Sequence, residues 1–124
     1  MKFIESPQAV RPIGPYSQGV ISNGLVFVSG QIALDPATNA MVRGGIREQT
    51  ARVLENVKAI LESGGSGLDK VLRVTVYLRE ASYFKDMNEV YAEAFGTHKP
   101  ARTTVVCDFV KEEVLVEIDV LAAQ

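Results

Sequence analysis

Ile46, Thr50, Val53, Leu54, Val57, Ile60 and Leu61 recur at helical spacing, in a chain whose other apolar runs are strand-like and rich in β-branched residues. That change of period, from about 2 to 3.6 and back, leaves few folds open. The spacing predicts a helix from about Ile46 to Glu62. Arg47, Glu48, Arg52, Glu55, Lys58 and Glu62 form its outer face, and Gly64-Gly65 ends it. A second helix is expected from about Ser82 to Phe95. Phe84, Met87, Tyr91, Ala94 and Phe95 make its buried stripe, and Asn88 lies on that same stripe. A buried amide needs partners, so Asn88 is either held by nearby backbone or serves a site.

Strands occupy the remainder. Residues 2–5 read as a short edge strand, and Pro7, Pro12 and Pro15 punctuate the loop that follows. Tyr16 to Ile21 and Leu25 to Val28 flank Asn23-Gly24, a two-residue hairpin turn. The second of these strands ends in Ser29-Gly30-Gln31. Ile32 to Leu34 and Met41-Val42 are brief extended pieces around the Asp35-Pro36 turn. Val71 to Leu78 is expected to send Leu72, Val74, Val76 and Leu78 one way, and Val71, Arg73, Thr75 and Tyr77 the other. From Pro100 to Ala122, two β-branched runs around Lys111-Glu112-Glu113 read as a hairpin. The order is strands, helix, strand, helix, strands, which implies crossover connections and a mixed sheet. Two helices cover one face of such a sheet. Val71, Val105, Val114 and Val116 are then left on the other, and an uncovered apolar face predicts self-association.

At 124 residues the chain is expected to be one domain, 1–124. Net charge is −2 and no Lys/Arg cluster occurs, which argues against nucleic acid as a partner. No apolar run approaches the roughly 20 residues of a membrane span, and the first residues do not resemble a secretory signal. A single cysteine, Cys107, precludes an internal disulfide and fits a reducing cytoplasm. With His98 the only histidine, the usual His/Cys zinc clusters are excluded. Gly64 to Gly67 follows a helix and precedes a strand, the reverse of a phosphate-binding loop. His98 reads as a solvated loop residue and Cys107 as a small buried hydrophobe.

Two charges stand out in the apolar C-terminal runs: Arg102 and Glu117. Such groups are costly to bury unless paired or put to use. They form a structural ion pair, or they face a small anionic ligand, for which a guanidinium is well shaped. Taken alone, Tyr16 reads as a core-edge aromatic and Ser29 as a strand-end turn residue.

Several segments together resemble the Rid/YjgF family of reactive-intermediate deaminases. They are Ile13-Gly14-Pro15-Tyr16-Ser17-Gln18, Val28-Ser29-Gly30-Gln31-Ile32, Val74-Thr75-Val76-Tyr77-Leu78, Phe84-x-x-Met87-Asn88-x-x-Tyr91, Pro100-Ala101-Arg102-Thr103-Thr104-Val105 and Val116-Glu117-Ile118. They span nearly the whole chain in the family's order. The resemblance implies a chorismate-mutase-like α+β domain with a mixed six-stranded sheet and two helices on one face. It also implies a homotrimer whose sheets form a central barrel, with sites in the clefts between subunits. The implied reaction is hydrolysis of 2-enamino and 2-imino acids, such as 2-aminoacrylate and 2-iminobutyrate, to 2-keto acids and ammonia. It requires no cofactor and no metal.

On that resemblance Arg102 binds the substrate carboxylate. Glu117 orients or deprotonates water, or passes a proton to the leaving ammonia. Ser29 and the Gly30 N–H orient substrate or water, Tyr16 closes the cleft, Asn88 lines it, and Thr104 offers its backbone N–H. Two positions depart from the family pattern. Thr104 stands where a cysteine is common, and Val110-Lys111 replaces Leu-Pro. The competing expectation is a trimer that binds 2-keto acids without catalysis. Such a sensor needs the arginine but has less need of the acid.

Overall fold

A computed structural model of the chain describes residues 1–124. Eight main elements follow one another: β1 (Lys2–Ile4), β2 (Gly19–Ser22), β3 (Leu25–Gln31), α1 (Ile46–Ser63), β4 (Val71–Leu78), α2 (Phe84–Phe95), β5 (Ala101–Val106) and β6 (Val116–Ala123). Short 3₁₀ turns precede β4 and α2. The strands form one six-stranded sheet in the order β1-β2-β3-β6-β4-β5. β4 and β5 are parallel, and every other neighbouring pair is antiparallel. Both helices lie on one face, and their buried side chains share a single core with the sheet. The mixed sheet expected from the order of the elements is present, as is the α+β domain that the resemblance implied.

Local chemistry explains the elements. Asn23 and Gly24 take positive φ values of 52° and 74°, which joins β2 to β3 through a primed turn matched to strand twist. All seven stripe residues of α1 are buried, and each large apolar one contributes about 1.5–3 kcal/mol by leaving water. The helix ends in a Schellman motif. Ser66 N–H donates to Leu61 O and Gly65 N–H to Glu62 O, with Gly65 at φ 77°. Gly64 to Gly67 is thus a connection, as its position in the chain required.

Several expectations need correction. The C-terminal runs are not a hairpin, because β4 lies between β5 and β6. The crossover through α2 lays β5 parallel to the outer side of β4, so residues 107–115 must carry the chain over the end of β4. Arg79 holds that passage through the carbonyls of Val114 (2.7 Å) and Lys111 (2.8 Å). Gln49 brackets it through Glu113 O and Leu115 N–H, both at 2.9 Å.

In β4 a bulge between Val71 and Arg73 turns Val71 into the core and Leu72 outward, 48% exposed. β2 starts at Gly19, later than expected. The Gln18 amide draws the preceding loop inward by binding Ser6, Ala9 and Val10. α2 starts at Phe84, with Ser82 in the 3₁₀ turn, and Phe84 and Ala94 are exposed. The pieces around Asp35-Pro36 reduce to one bridge, Leu34 to Met41.

Val71, Val114 and Val116 are buried, so they are not on the open face. The pairing register gives that face Phe3, Val20, Phe27 and Leu121 in one row, with Leu72 and Val105 nearby. Phe3 is 67% exposed and Phe27 45%. His98 is not simply solvated: Nε2 donates to Val71 O at 2.7 Å. Cys107 is half-buried and not buried. No helix is long and apolar enough to cross a membrane.

One polar residue in the core was not anticipated. Asn56, fully buried on α1, donates to Leu34 O (2.9 Å) and Ile32 O (3.3 Å) and accepts from Arg52 Nε (3.1 Å). It supplies the backbone bonds that the segment after β3 cannot make with a strand. Asn56→Leu strands Leu34 O, while Ile32 O keeps the Leu34 N–H, and is expected to destabilise the fold by about 1–3 kcal/mol, measured by urea unfolding at constant protein concentration.

Candidate functional site

The crossover of β4 decides the geometry of the two charges. Arg102 lies opposite Val74, which is buried under the helices. Glu117 lies opposite Tyr77, on the open face. The two strands are separated by β4, about 10 Å in all, and the two positions are offset by three residues along it, about another 10 Å. Their side chains leave the sheet in opposite directions. Within one chain they do not pair. The ion pairs of the chain join Arg47 of α1 to Asp86 and Glu89 of α2.

Arg102 sits against α2. Its guanidinium carbon is 4.7 Å from the Tyr91 ring centre and 5.6 Å from that of Phe84. The aromatic faces attract the cation without neutralising it. Around it the chain leaves polar atoms unused. Asn88 Oδ1, Tyr91 OH and Thr104 Oγ1 are each buried and without a hydrogen-bond partner. Asn88 and Tyr91 are three residues apart on α2, and Thr104 is two residues after Arg102 on the same face of β5. Buried polar groups without partners are rare and call for a cause. Burial pushes the Tyr91 phenol above its ordinary pKa, against the opposing charge of Arg102, so the hydroxyl keeps its proton. A free cation, an amide and two hydroxyls on adjoining elements suit a small carboxylate. β5 is also a sheet edge, which leaves part of its backbone, in the strand that carries Thr104, open to a ligand.

The second group of residues lies around Glu117. Its carboxylate covers Gly30, so closely that any Cβ there would collide with Oε2. Gly30 stands in the irregular stretch of β3 between Val28 and Gln31, where the register with β6 shifts. That bulge lets the backbone of Gly30 approach the acid. Ser29 is tied inward: its Oγ donates to Ser17 O at 2.7 Å and its N–H to Gln18 O at 2.9 Å. Its hydroxyl therefore braces the loop that carries Tyr16. Tyr16 is exposed, and it lines a small cavity of about 50 Å³ together with Gly30, Gln31, Ile32 and Arg11. Burial, and then the charge of Asp119, raise the pKa of Glu117 above the usual carboxylate range. A larger trough of about 850 Å³ runs along the N-terminal loop past Phe3, Glu5, Arg11 and Tyr16, but neither Arg102 nor Glu117 lines it.

The seven residues singled out in the sequence thus fall into two sets. Arg102, Asn88 and Thr104 share the β5–α2 face, while Glu117 meets Gly30 on the other side of the sheet, where Tyr16 shares a cavity with Gly30 and Ser29 braces the Tyr16 loop. Tyr91 and Phe84 were read only as core residues of α2. Their position one turn either side of Asn88 was the clue that they flank the arginine.

Known proteins match the chain along nearly its whole length. The family model described as Endoribonuclease L-PSP matches residues 6–124. A RutC family protein of Pyrococcus abyssi is 49% identical over 121 residues, covering 98% of this chain and 95% of its own. Among solved structures, Escherichia coli TdcF with bound serine is 35% identical, with a TM-score of 0.94 and coverage of 100% of this chain and 99% of that one. RidA from an Antarctic Psychrobacter is 32% identical, with a TM-score of 0.95 and full coverage of both chains.

Proposed function

From its membership of the Rid/YjgF family, described in the family model as Endoribonuclease L-PSP, we propose that the chain hydrolyses small 2-imino and 2-enamino acids to 2-keto acids and ammonia. The observation that carries this reading is the unpaired Arg102 beside three unsatisfied polar atoms, with a half-buried Glu117 of raised pKa elsewhere on the same sheet. One set suits an α-carboxylate and the other suits proton transfer. They face opposite sides of one chain, so a complete site needs two copies. The exposed apolar row of Phe3, Phe27 and Leu72 supports an assembly that buries the open face, and a closed trimer satisfies both requirements.

In this site Arg102 of one subunit holds the carboxylate in two parallel hydrogen bonds, with Asn88 and the backbone at Thr104 beside it. Glu117 of the next subunit reaches the C=N group, and Tyr16 closes the cleft. Glu117 gives its proton to the imine nitrogen, which makes C2 more electrophilic. Water adds to C2 and returns a proton to Glu117. The carbinolamine then collapses: Glu117 gives its proton to nitrogen, the C–N bond breaks and ammonia leaves, and the hydroxyl returns its proton to Glu117 as it becomes the keto oxygen. Positioning and proton transfer carry the catalysis. Serine, named in the TdcF structure, has the same α-carboxylate on a three-carbon frame, which supports a substrate of this size. The net charge of −2 gives a poor surface for the RNA cleavage that the family description names.

The direct test generates the imine in place with an amino-acid oxidase and lets semicarbazide compete for it. Wild-type protein is expected to lower semicarbazone formation in proportion to its concentration. An assembled protein with no effect, but with measurable 2-keto-acid binding, would leave the non-catalytic binder standing. Gly30→Ala probes the close approach to Glu117. The added methyl displaces the carboxyl group, and a shift of about 1 Å is expected to lower kcat/KM by about 10²-fold. The unfolding midpoint should change little, because the colliding atom is at the end of a flexible side chain.

A further inference from the structure

Two acidic side chains stand side by side on the open face of β6, and the reaction above uses only one. Glu117 and Asp119 are two residues apart on a strand, so they project the same way about 7 Å apart. Tyr77 faces Glu117 from β4, and Thr75 faces Asp119. Tyr77 does not bond the residue opposite it. Its hydroxyl reaches along the strand and donates to Asp119 Oδ2 at 2.9 Å. That bond fixes the position of Asp119. The same bond, with burial, pushes the Tyr77 phenol upward, so it stays a donor.

The other groups on this side leave Glu117 without a compensating cation in its own chain. Arg79, just after β4, is engaged with the carbonyls of Val114 and Lys111, and Arg73 of β4 with Thr103. β3 presents Gly30, which has no side chain, and Cys107 follows β5 near Tyr77. Arg11 lies in the loop beyond Gly30, and the helices are on the opposite face.

Resting on the reading of Glu117 as the proton-transferring group, we propose that Tyr77 and Asp119 are positioning residues that keep Glu117 in its proton-bearing form until substrate arrives. Asp119 stands beside Glu117 on the same face of β6, and Tyr77 holds it in place. After burial, the charge of Asp119 is the second cause that disfavours ionisation of Glu117. Glu117 then meets the imine as an acid able to protonate nitrogen. Neither Tyr77 nor Asp119 needs to touch substrate.

The test is a carbon-13 NMR titration of the whole protein labelled at Glu side-chain carboxyls. The Glu117 signal is identified by its loss in Glu117→Gln. Asp119→Asn preserves an acceptor for Tyr77 but removes the charge, and is expected to move the Glu117 midpoint to lower pH. Tyr77→Phe, which releases Asp119, is expected to move it the same way by less. The matching limb of the kcat/KM profile should move with it in Asp119→Asn. An unchanged or raised midpoint in both variants overturns the proposal. The titration needs no turnover. A lowered midpoint in a protein that hydrolyses no imine would overturn the deaminase reading and leave the coupling intact.

Discussion

Arg102→Ala is expected to lower kcat/KM for imine hydrolysis by about 10²–10³-fold, the cost of losing one partner of a desolvated carboxylate pair. The loss should be the same in kind for 2-keto-acid binding, since product and substrate share the carboxylate. Arg102→Lys should recover little. The planar fork that stacks on Tyr91 and Phe84 and grips two oxygens cannot be replaced by a point charge. The fold should survive, because Arg102 makes no ion pair that its removal would strand. Unchanged turnover in a folded, assembled variant would remove Arg102 from the site.

Glu117→Gln is expected to lower kcat by about 10²–10⁴-fold while 2-keto-acid binding persists, the range for a lost general acid–base group. It should also stabilise the protein at neutral pH. The folded-state pKa of Glu117 is raised, so the folded chain binds its proton more tightly than the unfolded chain. Stability therefore falls as pH rises through the interval between the two values. Gln removes that loss. The advantage of the variant should be full above the raised pKa and vanish below the ordinary carboxylate range, as read by thermal unfolding at several pH values.

The two variants together test where the site lies. Each is nearly inactive alone, yet in the proposed trimer a random mixture of the two should regain about a quarter of wild-type activity. A random mixture gives that share of interfaces an intact Arg102 from one subunit and an intact Glu117 from the other. No recovery after unfolding and refolding the mixture would exclude a shared cleft.

Much of the architecture was legible along the chain. The α1 stripe, the Asn23-Gly24 turn and the limits of β4 follow from side chains within a few residues of one another. So did most of the candidate site, since Arg102 and Glu117 are charges in apolar strands and Asn88 is an amide on an apolar stripe. The uses of Gln18, Gln49 and Asn56 were not legible. Each satisfies backbone groups of loops between 8 and 66 residues away, and nothing local announces the partner. The bulge at Leu72 was hidden for a similar reason: alternation marks which residues are apolar, while pairing with β6 decides which of them turn inward.

Local sequence thus settled the kind and order of the elements, because helix and strand periods and turn geometry depend on near neighbours. Strand partnership was left to the tertiary structure. β4 enters between β5 and β6 because the α2 crossover places β5 on its outer edge, while β6 pairs with its other side. That one placement separates two residues that looked like hairpin neighbours and sends Arg102 toward α2 and Glu117 to the open face. It also brings Tyr77 to Asp119 across 42 residues of chain. Such contacts depend on which distant surfaces bury each other, a choice the whole core makes at once.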